Sequence, residues 1–330
     1  KMFFKGIQIG SIKIESNILI APLAGYTNLP TRQILRKLGA NLCYAEMVSA
    51  EGLNYSFDKS VLLIETKEDD RPLGIQLFGP DEDRIAFAFE KIKNYNFDIV
   101  DINCGCSVNK IIKSRSGATL LKSPETIYKI ISRLKTLTDK PVTLKIRSGW
   151  DNSSINYLEV LDAAEKGGAS LITLHPRTKS MLFNGKANWE HIRILKEKSN
   201  IPVIGNGDIF TADDAIRMFE TTKCDGIMLA RGIIENPFLI EEVMARVKNI
   251  QYTLPDIERR IKTLLKHCKL MVDYYGETKG IKEFRKYVRG YIKGYPNSSK
   301  LRDEINKIDS YSKLESAVYN YYEYYNKSNS

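Results

Sequence analysis

Eight times in succession the chain repeats a short apolar run, a polar turn and a longer stretch with helical spacing. The runs fall at 18–23, 42–48, 73–78, 97–102, 141–147, 169–175, 201–205 and 225–229. The helix-period stretches lie near 31–39, 54–65, 81–95, 124–138, 153–167, 188–199, 211–221 and 233–248. Pro124 and Thr211 stand where helix starts want them. Eight strands alternating with eight helices over about 230 residues is the size and period of an α/β chain closed into a (β/α)8 TIM barrel. The rival is a doubly wound sheet. Against it, Gly205-Asn206-Gly207-Asp208-Ile209-Phe210 lacks the third glycine of a dinucleotide turn. Ahead of the first run, residues 4–16 form two alternating segments around Gly10-Ser11 and read as a β-hairpin.

Active sites of such barrels gather at the C-terminal strand ends, and polar residues collect there. They are Glu46, Gln76, Asn103 to Cys106, Lys145 with Arg147, His175 with Arg177, Asn206-Gly207-Asp208 and Ala230-Arg231-Gly232. A single His or Gln at a strand end is more often a satisfied structural group, but so many convergent positions point to a site. Glycine-flanked turns with an arginine after the seventh and eighth strands suit a phosphate, hence a phosphorylated cofactor. The stretch 101–110 ends the fourth run in a turn carrying two of the five cysteines and leads to Lys110, Lys113 and Arg115. A thiol on a loop held by a rigid strand can be presented to a substrate. A Cys-x-Cys turn alone is more often structural, and the scattered His175, His191 and His267 do not complete a metal set, so no metal is expected.

With 330 residues, 43% hydrophobic and 27% charged, the chain is expected to form a large domain, 1–248, and a smaller one, 249–330. No apolar stretch approaches the ~20 residues that cross a bilayer, and the N-terminus alternates where a signal peptide would be continuously apolar. A soluble cytoplasmic protein is expected, with its five cysteines free. Residues 249–330 hold 16 Lys and Arg against 10 Asp and Glu, so they carry six of the ten net positive charges. After a linker, 249–255, the segment 256–326 reads as helices. Within it Lys279, Lys282, Arg285, Lys286, Arg289 and Lys293 share roughly a 120° arc at helical spacing. Ile281, Phe284, Val288, Tyr291 and Ile292 fall opposite, and Glu283 is the stretch's lone acid. Solvated faces mix signs, so this one is expected to bind phosphates. The tyrosines Tyr319, Tyr321, Tyr322, Tyr324 and Tyr325 are expected mostly to pack a terminal helix.

At this point a family likeness emerges. It rests on Ala21-Pro22-Leu23-Ala24-Gly25-Tyr26-Thr27, Gln76-Leu77-Phe78-Gly79, the stretch 101–110 and Gly117-Ala118-Thr119-Leu120-Leu121. It continues through 143–150, His175-Pro176-Arg177-Thr178, Phe183-Asn184-Gly185 and Asn206-Gly207-Asp208-Ile209. On these residues the chain resembles the tRNA-dihydrouridine synthases, flavoenzymes that reduce uridine in tRNA, and most closely their bacterial B-type members. The resemblance implies a flavin-binding barrel followed by a small helical tRNA-binding domain. It implies FMN contacts from Pro22, Leu23, Ala24, Gln76, Lys145, His175, Asn206, Gly207, Asp208, Ala230 and Arg231. It makes Cys106 the proton donor and places Asn103 at the target uracil, with Arg177 assisting. Two departures stand out: the family usually reads Gly-Cys-Pro where this chain has Gly105-Cys106-Ser107, and an apolar residue where it has Cys104.

The chemistry agrees with these roles. Uracil C5=C6 is conjugated to the C4 carbonyl, so hydride adds at C6 and a proton must follow at C5. A cysteine, with an ordinary pKa near 8.5, is mostly protonated at neutral pH and can donate it. Lys145 suits charge developing on a reduced flavin at N1 and the C2 oxygen. With no nicotinamide-binding domain, NADPH is expected to visit and leave before RNA binds. A base in folded tRNA must leave its stack, at a cost of a few kcal/mol. Backbone contacts from the basic helix (Lys282, Arg285, Lys286, Arg289) and from Lys110, Lys113 and Arg115 would offset that cost. No obligate protein partner is expected. Two other readings are a flavin-dependent oxidoreductase of free pyrimidines, which has no use for a basic helical domain, and a non-catalytic RNA-binding protein. Cys106, Asn103 and Lys145 together argue against the second. If the turn continues extended, Cys104 and Cys106 point the same way, and spacing alone does not choose between them.

Overall fold

The structure, a computed structural model, describes residues 3–329. An antiparallel hairpin, β1 (Ile7–Ile9) and β2 (Ile12–Ile14), precedes eight parallel strands. These are β3 (Ile18–Ile20), β4 (Leu42–Ser49), β5 (Leu73–Phe78), β6 (Ile99–Cys104), β7 (Val142–Arg147), β8 (Leu171–His175), β9 (Val203–Asn206) and β10 (Gly226–Leu229). They close in the order β10-β3-β4-β5-β6-β7-β8-β9, the TIM barrel expected from the alternation.

Successive strand residues point to opposite faces, which sorts the barrel into two layers. Ile18, Ile20, Leu73, Ile75, Val100, Ile102, Leu144 and Ile146 face outward into the core beneath the helices. Leu19, Leu42, Tyr44, Ile99, Leu171 and Ile204 face inward and are sealed from below by Ile7, Ile9 and Ile14 of the hairpin. Tyr44 fills the barrel centre because Gly74 across from it has no side chain; a Cβ there would come within 2.4 Å of the ring. Above that apolar plug the inward positions turn polar, which is what opens a site at the C-terminal rim.

The outer helices start where local chemistry dictates. Ser123 caps the helix Pro124–Lys135, with the proline in its first turn, and Thr211 with Asp214 forms a reciprocal capping box on Ala212–Thr222. Two stretches differ from the sequence reading. The second breaks at Ser56 into Ala50–Tyr55 and Phe57–Val61. The eighth is interrupted between Arg231–Glu235 and Leu239–Val247, because Asn236 is held extended ahead of Pro237.

From Ile257 the chain is helical: Ile257–Tyr275, Glu277–Phe284, Val288–Ile292, Ser298–Ile305 and Tyr311–Asn329. Leu264, Cys268, Met271, Phe284, Val318 and their neighbours form an apolar cluster that also takes in Ile34 of the helix Leu29–Lys37 and Leu38, which caps its C-terminus. Tyr321 is buried and Tyr322 and Tyr325 pack against this cluster, whereas Tyr319 and Tyr324 are exposed. The basic stretch is not one α-helix: a 3-10 turn, Arg285–Tyr287, overwinds its middle. Lys282 and Arg289 stay exposed. Arg285 turns to donate to the Ile308 carbonyl at 2.8 Å, Lys286 pairs with Glu283 at 2.6 Å, and Lys293 pairs with Glu235 at 2.8 Å.

Candidate active site

A cleft holding about 1050 Å³, its open mouth included, lies over the C-terminal strand ends. Pro22, Leu23 and Ala24 line it after β3, Gln76 from β5, Asn103 and Cys106 from β6, and Lys145 from β7. His175 contributes from β8, Asn206, Gly207 and Asp208 from β9, and Ala230 with Arg231 from β10. The structure thus brings together the residues that the sequence pointed to for the cofactor, with Asn103 and the thiol. Lys110, Lys113 and Arg115 lie outside the cleft on the exposed continuation of the Cys106 loop.

The floor is a buried hydrogen-bond network. Asp101 accepts from Gln76 Nε2 and from Thr143 Oγ1, each at 2.6 Å. Asn103 Nδ2 donates to Gln76 Oε1 at 2.7 Å. Burial pushes the Asp101 carboxyl up to about 6, against the pull of those two donors and of Lys145. Asn103 Oδ1 accepts from the backbone N–H groups of Gly105 at 3.1 Å and Cys106 at 2.8 Å, so this amide folds the turn that presents the thiol. Arg147 Nε clamps the same turn through the Gly105 carbonyl at 2.9 Å.

The two cysteines part company because β6 ends at Cys104 and the chain does not stay extended. Cys104 faces outward with Ile102 and Ile146, is 0% exposed, and burial drives its thiol far above the ordinary range. Cys106 is half-buried and faces the cleft. Burial raises its thiol, outweighing the Val108 N–H and the nearby Arg147 and Lys145, which pull the other way. A thiol held above its ordinary value keeps its proton at neutral pH and is poised as an acid.

The other end of the cleft is cationic. Lys145 Nζ donates to Asn206 Oδ1 at 2.8 Å, and burial beside Arg147 pushes it down to about 8. Arg147 is pushed down to about 10 by burial and by Arg177. His175 is held neutral, well below its ordinary value, by burial among these cations. Arg231 lies over the Phe183 ring at 4.5 Å and 3.6 Å from Asp208. Arg177 is 2% exposed and sits behind this surface. It donates to the Gly185 carbonyl at 2.6 Å and to Asp208 at 2.8 Å, and lies 3.2 Å from His175 Nε2. It therefore holds the wall rather than reaching into the cleft.

Burial lowers these neighbouring bases most, and repulsion among them lowers them further; an anion seated among them would relieve that repulsion. Gly207, at φ +114°, brings bare backbone to this end; a Cβ there would meet His175 at 2.8 Å. A flat hydrogen-bonding ring over Gln76, Lys145 and Asn206, joined to a phosphate near Arg231 and Gly207, fits the donor set.

Three features escaped the sequence. A register shift in β4 between Tyr44 and Met47 puts Met47 into the cleft and turns Glu46 away, where strand alternation would have placed Glu46 at the site. Arg147 was legible as a strand-end cation, but not its grip on Gly105, Thr178 and Leu182 carbonyls. Phe183, 54% exposed, lies beside Arg147 of β7, His175 of β8 and Arg231 after β10; its motif entered the resemblance, but nothing in the sequence placed the ring at the cleft.

Fold and site together define a TIM-barrel enzyme with an anion-receptive cleft and a protonated thiol at its mouth. The family described as Dihydrouridine synthase (Dus) matches residues 19–324. tRNA-dihydrouridine synthase B of Pasteurella multocida is 33% identical over 92% of this chain and 91% of its own. A probable tRNA-dihydrouridine synthase 1 of Synechocystis sp. is 36% identical over 93% and 86%. Among solved structures, the old yellow enzyme homologue from Zymomonas mobilis matches at TM-score 0.53 and 13% identity over 78% of this chain and 96% of that one. Histamine dehydrogenase from Rhizobium sp. 4-9 matches at TM-score 0.55 and 16% over 82% and 51%. At such identities the likeness is one of fold. The chain belongs to the dihydrouridine synthase family of oxidoreductases.

Proposed function

We propose that this protein reduces uridine to 5,6-dihydrouridine in tRNA, with FMN in the barrel cleft and NADPH as the transient reductant. The observation that carries the reading is the Cys106 thiol, kept protonated beside Lys145 and facing the cleft. The chemistry FMN supplies when bound is hydride transfer, from NADPH on to C6 of uracil. Cys106 Sγ holds the proton that C5 then takes. Asn103 keeps that sulfur in place through the Cys106 N–H, and Lys145 offers positive charge to the ring that gains electrons. Arg231 and the backbone of the Gly207-Asp208 turn would hold the phosphate, and Pro22, Leu23 and Ala24 would supply apolar contact to the ring. Residues 1–248 are the catalytic unit and 249–330 the RNA-binding one. The test is formation of dihydrouridine in unmodified tRNA by the purified protein with FMN and NADPH.

Lys145 gives a pH dependence. Its folded value is lowered to about 8, so its charge is present below that value and is lost as pH rises through it. FMN affinity of the apoprotein should therefore fall between pH 7 and 9, a window in which the phosphate stays dianionic. Lys145→Met should flatten the curve. Equilibrium titrations across that window check it, and an unchanged slope in the variant would remove Lys145 from the flavin.

On the RNA side, of the exposed cations of the basic stretch without an ion-pair partner among the described residues, Lys279 lies over the Tyr275 ring at 4.7 Å, and Lys282 and Arg289 are left facing solvent. Changing both to glutamine should weaken tRNA binding and lower the slope of log affinity against log salt by between about 1 and 2. Adding Lys286→Gln, and Lys110, Lys113 and Arg115 in a second variant, should lower it further while NADPH oxidation persists. A salt slope identical to wild type would take these residues out of the interface.

A further inference from the structure

Gly25, Tyr26 and Thr27 follow directly on the cleft-lining Pro22, Leu23 and Ala24, and they are fastened from three sides. From the barrel, the Glu46 carboxylate accepts the Gly25 N–H. From the helix Leu29–Lys37, Arg32 Nη1 donates to the Thr27 carbonyl at 2.7 Å. From the helical region, the Tyr287 hydroxyl donates to the Tyr26 carbonyl at 2.7 Å, and the two rings meet edge-on with centroids 5.6 Å apart.

The Tyr287 hydroxyl is itself held. Asn28 Nδ2 at 3.3 Å and Thr31 Oγ1 at 3.0 Å both donate to it. Thr31 Oγ1 lies 3.1 Å from His267 Nε2, and His267 Nδ1 lies 2.9 Å from the Tyr291 hydroxyl. One tautomer fits the partners: Tyr291 donates to Nδ1 and Nε2–H donates to Thr31, whose own hydroxyl proton has two acceptors, Asn28 Oδ1 at 2.9 Å and the Tyr287 hydroxyl at 3.0 Å, while Tyr287 donates to the Tyr26 carbonyl. Burial holds His267 neutral, pushed down to about 3, as that tautomer requires. A connected hydrogen-bond network thus runs from the buried core of the helical region to the loop that lines the cleft.

We propose that Tyr287 is a positioning residue for the FMN site: through the Tyr26 carbonyl it fixes Pro22, Leu23 and Ala24, so the helical region completes the flavin cleft. This rests on the flavin reading above. Gly25, at φ +76°, gives the loop backbone freedom that must be taken away for three apolar side chains to meet a ring in one geometry. Without the hydroxyl, the half-buried Tyr26 carbonyl loses its donor and Asn28 and Thr31 lose an acceptor.

Tyr287→Phe removes the hydroxyl and keeps the ring. FMN titration into apoprotein, followed by quenching of flavin fluorescence, reads the site without turnover. Tyr287→Phe should raise the Kd about tenfold and leave tRNA affinity within about twofold of wild type. Leu301→Ala, which opens the helical core away from the loop, should lower Tm at least as far yet hold FMN normally. Glu46→Gln, which keeps an oxygen for Gly25, should bind FMN better than Glu46→Ala. Wild-type affinity in Tyr287→Phe, or equal FMN loss in Leu301→Ala, would overturn the proposal. A wild-type apoprotein that takes up no FMN would overturn the flavin reading and this inference with it.

Discussion

Cys106→Ala should bind FMN and oxidise NADPH as the wild type does, yet form dihydrouridine at least about a hundredfold more slowly, the usual scale of losing a general acid. The selectivity follows from position. Cys106 lines the cleft, while the turn that carries it is held by backbone groups, by Asn103 and by Arg147, all of which survive the change. Cys104→Ala is expected to keep most activity, because that thiol lies in the outer core and costs packing, not chemistry. Single-turnover assays with prereduced flavin and unmodified tRNA isolate the step. An inactive Cys104→Ala beside an active Cys106→Ala would reverse the assignment.

Lys145→Ala should raise the FMN dissociation constant by roughly thirtyfold or more, the scale on which a buried charged partner of an anionic ligand is lost. The apoprotein should keep nearly its wild-type Tm. Lys145 in the apoprotein is a half-buried cation beside Arg147, pushed down to about 8, so its removal relieves a cost that offsets the lost bond to Asn206. Calorimetry of both proteins with and without FMN separates the two effects. A variant that loses Tm without FMN but keeps its affinity would make Lys145 a structural residue only.

The barrel was legible because its strands are buried on both faces, so each of the eight runs reads as apolar without competing polar positions. Strand-end residues were legible for the same reason: Gln76, Lys145, His175 and Asn206 interrupt apolar runs that have no structural use for them. Geometry that breaks a regular period was not. The register shift that swaps Glu46 for Met47 leaves no mark in composition. The 3-10 turn at Arg285–Tyr287 changes which cations of the basic stretch face solvent, although the helical arc drawn at fixed spacing looks continuous. Cys104 and Cys106 are equivalent by alternation and distinct once the strand ends. Tyr287 meets Tyr26 across 261 positions of chain, a contact that only tertiary packing creates.

In the proposed reaction NADPH supplies the electrons through the flavin and the protonated Cys106 supplies only the proton, on uridine within tRNA. Its most direct measurement is mass analysis of an unmodified tRNA transcript after incubation with the purified protein, FMN and NADPH. Uridine should become heavier by two hydrogens at defined positions, and the new hydrogen at C5 should come from solvent when the reaction runs in heavy water. RNA left unmodified while free uracil or orotate is consumed would contradict it and favour an oxidoreductase of free pyrimidines.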